Sequence, residues 1–125
     1  MIFGVGIDMI EVERVAEKIG KDAGFRELVF SENEIAYCET KTNKYEHYAA
    51  RFAAKEAFFK ALGTGWKNGT AFNEIEILND EIGKPLISFL GETAVSIIEM
   101  KLGKINVSLS HLKTMASAIV IIENQ

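Results

Sequence analysis

Residues 45–62 read YEHYAARFAAKEAFFKAL, a run of helix formers closed by Gly63, the residue type that most easily takes the left-handed end of a helix. At about 100° per residue, apolar or small side chains fall on nearly every side of this helix, as they do when a helix is buried. Yet Arg51, Lys55, Glu56 and Lys60 stand in its middle. Isolated buried charges are costly, so all four need partners. Glu56 and Lys60 have the i, i+4 spacing of a helical ion pair, worth about 0.2–0.5 kcal/mol. Arg51 and Lys55 at the same spacing repel. Two cations one turn apart either find separate partners inside the protein or face an anionic ligand, and the pattern leaves both readings open.

Upstream, residues 2–7 (IFGVGI) are apolar or glycine and read as a buried strand, with Asp8 directly after it. Alternation puts Ile2, Gly4, Gly6 and Asp8 on one face and Phe3, Val5 and Ile7 on the other. The second set suits a core, while the glycines leave space beside the carboxylate. Asp8 then either caps the next helix or offers a metal ligand at a strand end. Ile10, Val12, Val15, Ala16 and Ile19 recur at helical spacing up to Gly20. Arg14, Lys18 and Lys21 make a basic stripe on that helix, a solvated face or a docking surface for an acidic partner. Ser31 with Glu34 three positions later is a capping box, opening a helix over 31–41.

Downstream, residues 64–70 form a loop containing Thr64, Gly65, Trp66 and Gly69. Gly63-Thr64-Gly65 is a helix stop that also allows close backbone approach to a phosphate. Residues 72–78 and 85–90 read as a hairpin whose turn ends in Gly83-Lys84-Pro85. A helical pattern over 93–102 stops at Gly103, and residues 105–109 and 115–122 read as two further strands. On the first of these, Val107, Leu109 and His111 share one face and Asn106, Ser108 and Ser110 the other. His47 reads as a solvated helix residue and Cys38 as a small apolar filler. Strand, helices, hairpin, helix, hairpin spell an α+β fold, a mostly antiparallel sheet packed with helices.

The chain of 125 residues is one domain, 1–125, able to bury a real core. It is too small to enclose a large cofactor without a partner subunit. A net charge of -4 argues against a nucleic-acid partner. One cysteine and two histidines cannot build a thiolate or imidazole zinc cage, so any metal is a hard cation held by oxygens. No secretory leader and no apolar run of about 20 residues is present, which points to a cytoplasmic protein without a membrane partner.

In order along the chain stand Gly6-Ile7-Asp8, Arg51-Phe52-Ala53-Ala54-Lys55-Glu56-Ala57 with Lys60, Gly63-Thr64-Gly65, Gly83-Lys84-Pro85 and Val107-Ser108-Leu109-Ser110-His111. This series resembles the holo-[acyl-carrier-protein] synthases, the short bacterial type of 4′-phosphopantetheinyl transferase, over essentially the whole chain. The resemblance implies a homotrimer with coenzyme A in clefts between subunits. It implies Mg²⁺ held by Asp8 and Glu56, with Lys60 near the transferring phosphate. The implied reaction moves the phosphopantetheine arm of coenzyme A onto a serine of apo-acyl carrier protein, releases adenosine 3′,5′-bisphosphate and supports fatty acid biosynthesis.

The coenzyme contacts it suggests are Gly63, Thr64, Gly65, Pro85, Ser110 and His111, with Arg51, Lys55 and Lys84 for the coenzyme's other phosphate. The basic stripe Arg14, Lys18 and Lys21, with Phe25 and Arg26, suits an acidic carrier protein. The base is left open between Glu56 and a metal-bound water. Two rivals from other classes are a module that binds coenzyme A or carrier protein without chemistry, and a structural trimer whose charges pair internally.

Overall fold

Gly4 and Gly6 set the distance between the first strand and the long helix. A β-carbon built on Gly4 would stand 1.9 Å from the Ala61 carbonyl oxygen, and one on Gly6 1.9 Å from that of Ala57. Helix backbone therefore lies directly on strand backbone, which only paired glycines and alanines allow. The computed structural model describes residues 1–21, 24–63 and 70–125. Its elements are β1 (Ile2–Glu11), α1 (Val12–Lys21), α2 (Phe25–Val29), α3 (Glu32–Glu39), α4 (Lys44–Leu62), a 3₁₀ turn (Phe72–Glu74), β2 (Ile75–Asn79), β3 (Pro85–Phe89), α5 (Gly91–Glu99), β4 (Leu102–His111) and β5 (Met115–Asn124).

β1, β5 and β4 form an antiparallel sheet in that order, and β2 with β3 a separate hairpin. The inner face of β5, Ala116, Ala118, Val120 and Ile122, is buried under α4. The hairpin adds Ile75 and Ile77, and Phe58 packs on Phe89 with ring centroids 5.1 Å apart. On the other side of α4, Val12, Val15, Val29, Phe30, Cys38 and Tyr48 make a second cluster. Burial pushes the Cys38 thiol up to about 12, so it is an inert filler. Among the described residues, no helix is long and apolar enough to cross a membrane.

The expected face of β1 is inverted. Phe3, Val5 and Ile7 do not pack on the core; with Met9 they are 47%, 52%, 60% and 64% exposed, while Gly6 is buried under α4. The strand also runs on past Asp8, because β5 pairs with it as far as Glu11 opposite Met115. Asp8 therefore sits inside β1, opposite Ala118, and caps nothing; α1 starts at Val12. The Ser31–Glu34 capping box is present with both of its bonds. Phe72 opens a 3₁₀ turn rather than a strand, and α5 ends at Glu99 because Leu102 pairs with Asn124 as the start of β4. Most of the expected loop, residues 64–69, lies outside the described residues.

Candidate active site

Asp8 projects from β1 on the glycine face, so the close approach of α4 brings it to the helix residues flanking Ala57. The Lys60 ammonium donates to Asp8 Oδ1 at 3.0 Å and to the Ile7 carbonyl at 3.0 Å. Lys60 thus reaches across to the strand. Glu56, one turn earlier, is half-buried, and its carboxyl is raised above the ordinary value by burial and then by the nearby Asp8 charge, with Lys60 opposing both. Two carboxylates that crowd each other beside a lysine form a site for a cation and an anion together. Among the described residues no cluster of three or more metal-ligating side chains occurs. A pair of hard oxygen donors suits Mg²⁺, which keeps several waters and fills its shell from substrate phosphates.

A second feature lies across the sheet. A cavity of about 230 Å³ is lined by His47, Arg51, Asn79, Pro85 and His111, with Ala50, Gly83, Ser108 and Leu109. Arg51 is buried there; its Nε donates to the Ile77 carbonyl at 2.9 Å and its Nη1 to the His47 carbonyl at 3.4 Å. Its guanidinium stacks 4.5 Å from the Tyr37 ring centroid, and its Nη2 finds no acceptor among the described residues. A buried guanidinium with a spare donor beside a cavity is arranged for an anion. Burial, followed by the charges of His111, Arg51 and Lys41, lowers His47 from its ordinary value, with Glu46 opposing them.

Arg51, Pro85 and His111, singled out from the sequence, therefore meet at one cavity, with Gly83 beside Lys84. Lys84 itself is exposed in the turn, its backbone N–H donating to Asp80 Oδ1 at 2.9 Å. Gly63 is the left-handed end of α4 at φ 80°, while Thr64 and Gly65 lie outside the described residues. Ser110 is exposed on the face of β4 opposite to His111.

Lys55 has to be reassigned. It is fully buried, and its ammonium donates to Glu34 Oε1 at 2.7 Å, to the Phe72 carbonyl at 2.7 Å and to the Ile75 carbonyl. All three protons are used inside the protein, so none is left for a coenzyme phosphate. Glu34 completes this pin by accepting from the Ser31 and Ile77 backbone N–H groups at 2.9 Å each, tying α3 and α4 to β2.

On α1, Arg14, Lys18 and Lys21 are exposed, and the Lys18 ammonium stands 5.6 Å from the Phe25 ring centroid. Arg26 is occupied by Glu27 at 2.7 Å and Glu39 at 3.3 Å. Sequence reasoning missed His47 and Glu46. His47 is half-buried against His111, ring centroids 5.1 Å apart, and Glu46 Oε1 lies 2.8 Å from His111 Nδ1.

The family model described as the 4′-phosphopantetheinyl transferase superfamily matches residues 4–117. The chain belongs to that superfamily. Within it, the whole-length relatives are holo-[acyl-carrier-protein] synthases. The one from Cytophaga hutchinsonii is 46% identical over 124 residues, covering 97% of each chain. The crystal structure of the Neisseria meningitidis synthase superposes with a TM-score of 0.90 at 28% identity, over 99% of this chain and all of that one. That of the Bacillus anthracis synthase, solved in complex with CoA (3′,5′-ADP), gives 0.82 at 35% identity over 100% and 99%.

Proposed function

We propose that this enzyme transfers the 4′-phosphopantetheine arm of coenzyme A to a serine of apo-acyl carrier protein. The reaction is Mg²⁺-dependent, releases adenosine 3′,5′-bisphosphate and serves fatty acid biosynthesis in the cytoplasm. The observation that carries this reading is the centre made by Asp8, Glu56 and Lys60: two neighbouring carboxylates, one of which, Asp8, is ion-paired with a phosphate-seeking ammonium. The coenzyme complex of the Bacillus anthracis relative supports the choice of substrate.

Asp8 and Glu56 would hold Mg²⁺, which supplies charge neutralisation on the pyrophosphate as its phosphorus is attacked. Lys60 is exposed enough to move from Asp8 onto the transferring phosphate, where it acts as a point charge. The serine oxygen forms the new P–O bond as the bond to the bridging pyrophosphate oxygen breaks, and the bisphosphate leaves with that oxygen. The serine proton departs through Glu56 or through solvent. Arg51 and His111 suit the coenzyme's other phosphate, and the basic stripe on α1 suits the acidic carrier protein.

The enzyme works as a homotrimer with sites between subunits. Two observations support this. The outer face of the sheet is apolar and uncovered along β1. The two halves of the proposed site also lie on opposite edges of that sheet, Asp8 on β1 and His111 on β4, with β5 between them. α4 lies over β5 between these two edges, so one coenzyme joins them most simply across neighbouring copies.

Incubation with apo-acyl carrier protein, coenzyme A and Mg²⁺ should add one phosphopantetheine to the carrier, read by intact mass. Chelation should stop the reaction and Mg²⁺ restore it. Asp8→Ala and Glu56→Ala should each reduce transfer at least about 100-fold while the protein stays folded. Coenzyme binding without any mass gain would instead identify a binding module.

A further inference from the structure

Glu46 lies in the first turn of α4, where an acid is favourable for the helix dipole alone. It has a second partner, however. Its Oε1 is 2.8 Å from His111 Nδ1, across 65 residues of chain, and the two side chains are only 15% and 29% exposed. An ionised carboxylate only accepts, so this contact places a hydrogen on Nδ1 and turns the Nε2 edge of the ring towards a ligand; a phosphate oxygen also only accepts, so the ring that meets one carries a hydrogen on Nε2 as well. The His47 ring packs on His111 at an interplanar angle of 61°, restricting its swing. His111, His47 and Arg51 line the same cavity, and among the described residues the buried Arg51 Nη2 has no acceptor.

We propose that Glu46 is a positioning residue for coenzyme binding: it orients His111 so that an Nε2–H and the Arg51 guanidinium together take one phosphate of the coenzyme. This rests on the transferase reading above and adds to it the residue that sets up the anion subsite. The role is separable from a contribution to the helix dipole, because Glu46→Asp keeps the charge in the first turn and shortens the reach to His111.

Steady-state transfer and calorimetric binding of adenosine 3′,5′-bisphosphate test the proposal on the full chain. Glu46→Ala and Glu46→Asp should raise the KM for coenzyme A and the Kd for the bisphosphate about tenfold, as for loss of one charge-assisted hydrogen bond. In both, kcat should stay within about twofold, since the group acts on binding. Glu46→Gln, whose amide oxygen still accepts from Nδ1, should remain within about threefold of wild type. In a His111→Ala background, adding Glu46→Ala should change KM less than about twofold.

Imidazole ¹⁵N spectra of the ligand-free protein give a readout that does not depend on turnover: the His111 hydrogen should reside on Nδ1 in wild type and redistribute in Glu46→Ala. Unchanged KM in both Glu46→Ala and Glu46→Asp overturns the proposal, as does an undiminished Glu46→Ala effect in the His111→Ala background or an Nδ1 without hydrogen in wild type. If wild type itself neither transfers nor binds the bisphosphate, the transferase reading fails and the assignment of Glu46 with it. Normal wild-type transfer with a silent Glu46 overturns the assignment of Glu46 alone.

Discussion

Glu56 carries the cost of its position. Burial and the Asp8 charge raise its carboxyl above the ordinary 4.5, so over the window between those values the folded chain holds a proton that the unfolded chain has released. Stability is therefore greatest below the window and falls as pH rises through it. In metal-free protein, Glu56→Gln should melt higher than wild type at pH 7, and this advantage should disappear below pH 4.5. The same variant should lose at least about 100-fold in transfer. Added Mg²⁺ should raise the melting temperature of wild type and not of the variant, by mass action on the folded state. A lower melting point for Glu56→Gln at neutral pH would mean that the carboxylate is held for stability instead. The carboxylates and Lys60 could be picked out in the sequence because each belongs to a compact motif. Lys55 was misassigned because spacing reveals a buried cation but not its acceptors, and Glu34 lies 21 residues away. The Glu46–His111 contact left no trace at all, since nothing local links a first-turn acid to a strand 65 residues on.

The elements that position this centre are β1 and α4, and their spacing rests on hydrogen atoms where side chains would otherwise be. Gly6→Ala would press a methyl group against the Ala57 carbonyl oxygen, a backbone atom that cannot step aside without moving the helix. It should cost about 1–3 kcal/mol in urea unfolding, as overpacking does. It should also lower transfer more than the lost stability explains, because Glu56 and Lys60 move with α4 away from Asp8. Gly20→Ala is the control: nothing lies within 4 Å of that position in exposed helix α1, so it should gain about 0.5–1 kcal/mol with unchanged transfer. Equal costs at the two positions would remove the packing argument. Most elements were visible as periodicity, capping or turn residues. Alternation along β1 correctly grouped the residues by face, yet the apolar face proved to be the uncovered one. Which face a helix covers depends on how closely it can approach, and here glycine decides that. The five residues of α2 are too few to show a period, and β1 was read short because only its pairing with β5 carries it to Glu11.

For the molecule as a whole, the uncovered side of the β1-β5-β4 sheet sets the quaternary question. A sheet with one wet face ordinarily presents polar residues there. This one presents Phe3, Val5, Ile7 and Met9 on β1, with Ile119 and Ile121 half-buried alongside on β5. Closed rings are the usual way for copies of one chain to cover such a patch, and the proposed trimer would also bring the Asp8 edge of one copy to the His111 edge of the next. Wild type should then sediment at three times 13.9 kDa. Val5→Glu, which places a charge on the outer face without touching α4, should give a folded monomer that has lost transfer. Joined edges make a sharper demand. Asp8→Ala and the double variant Arg51→Gln/His111→Ala damage opposite halves of the site. If each site takes one half from each of two neighbours, exchanging subunits between these two inactive proteins rebuilds intact sites, about one in four for random mixing of equal amounts in a cyclic ring. Recovery near that fraction, abolished when Val5→Glu is added to both, is the expected result. No recovery from mixed trimers would put both halves of the site in a single chain, and the coenzyme would then have to pass over β5 within one subunit.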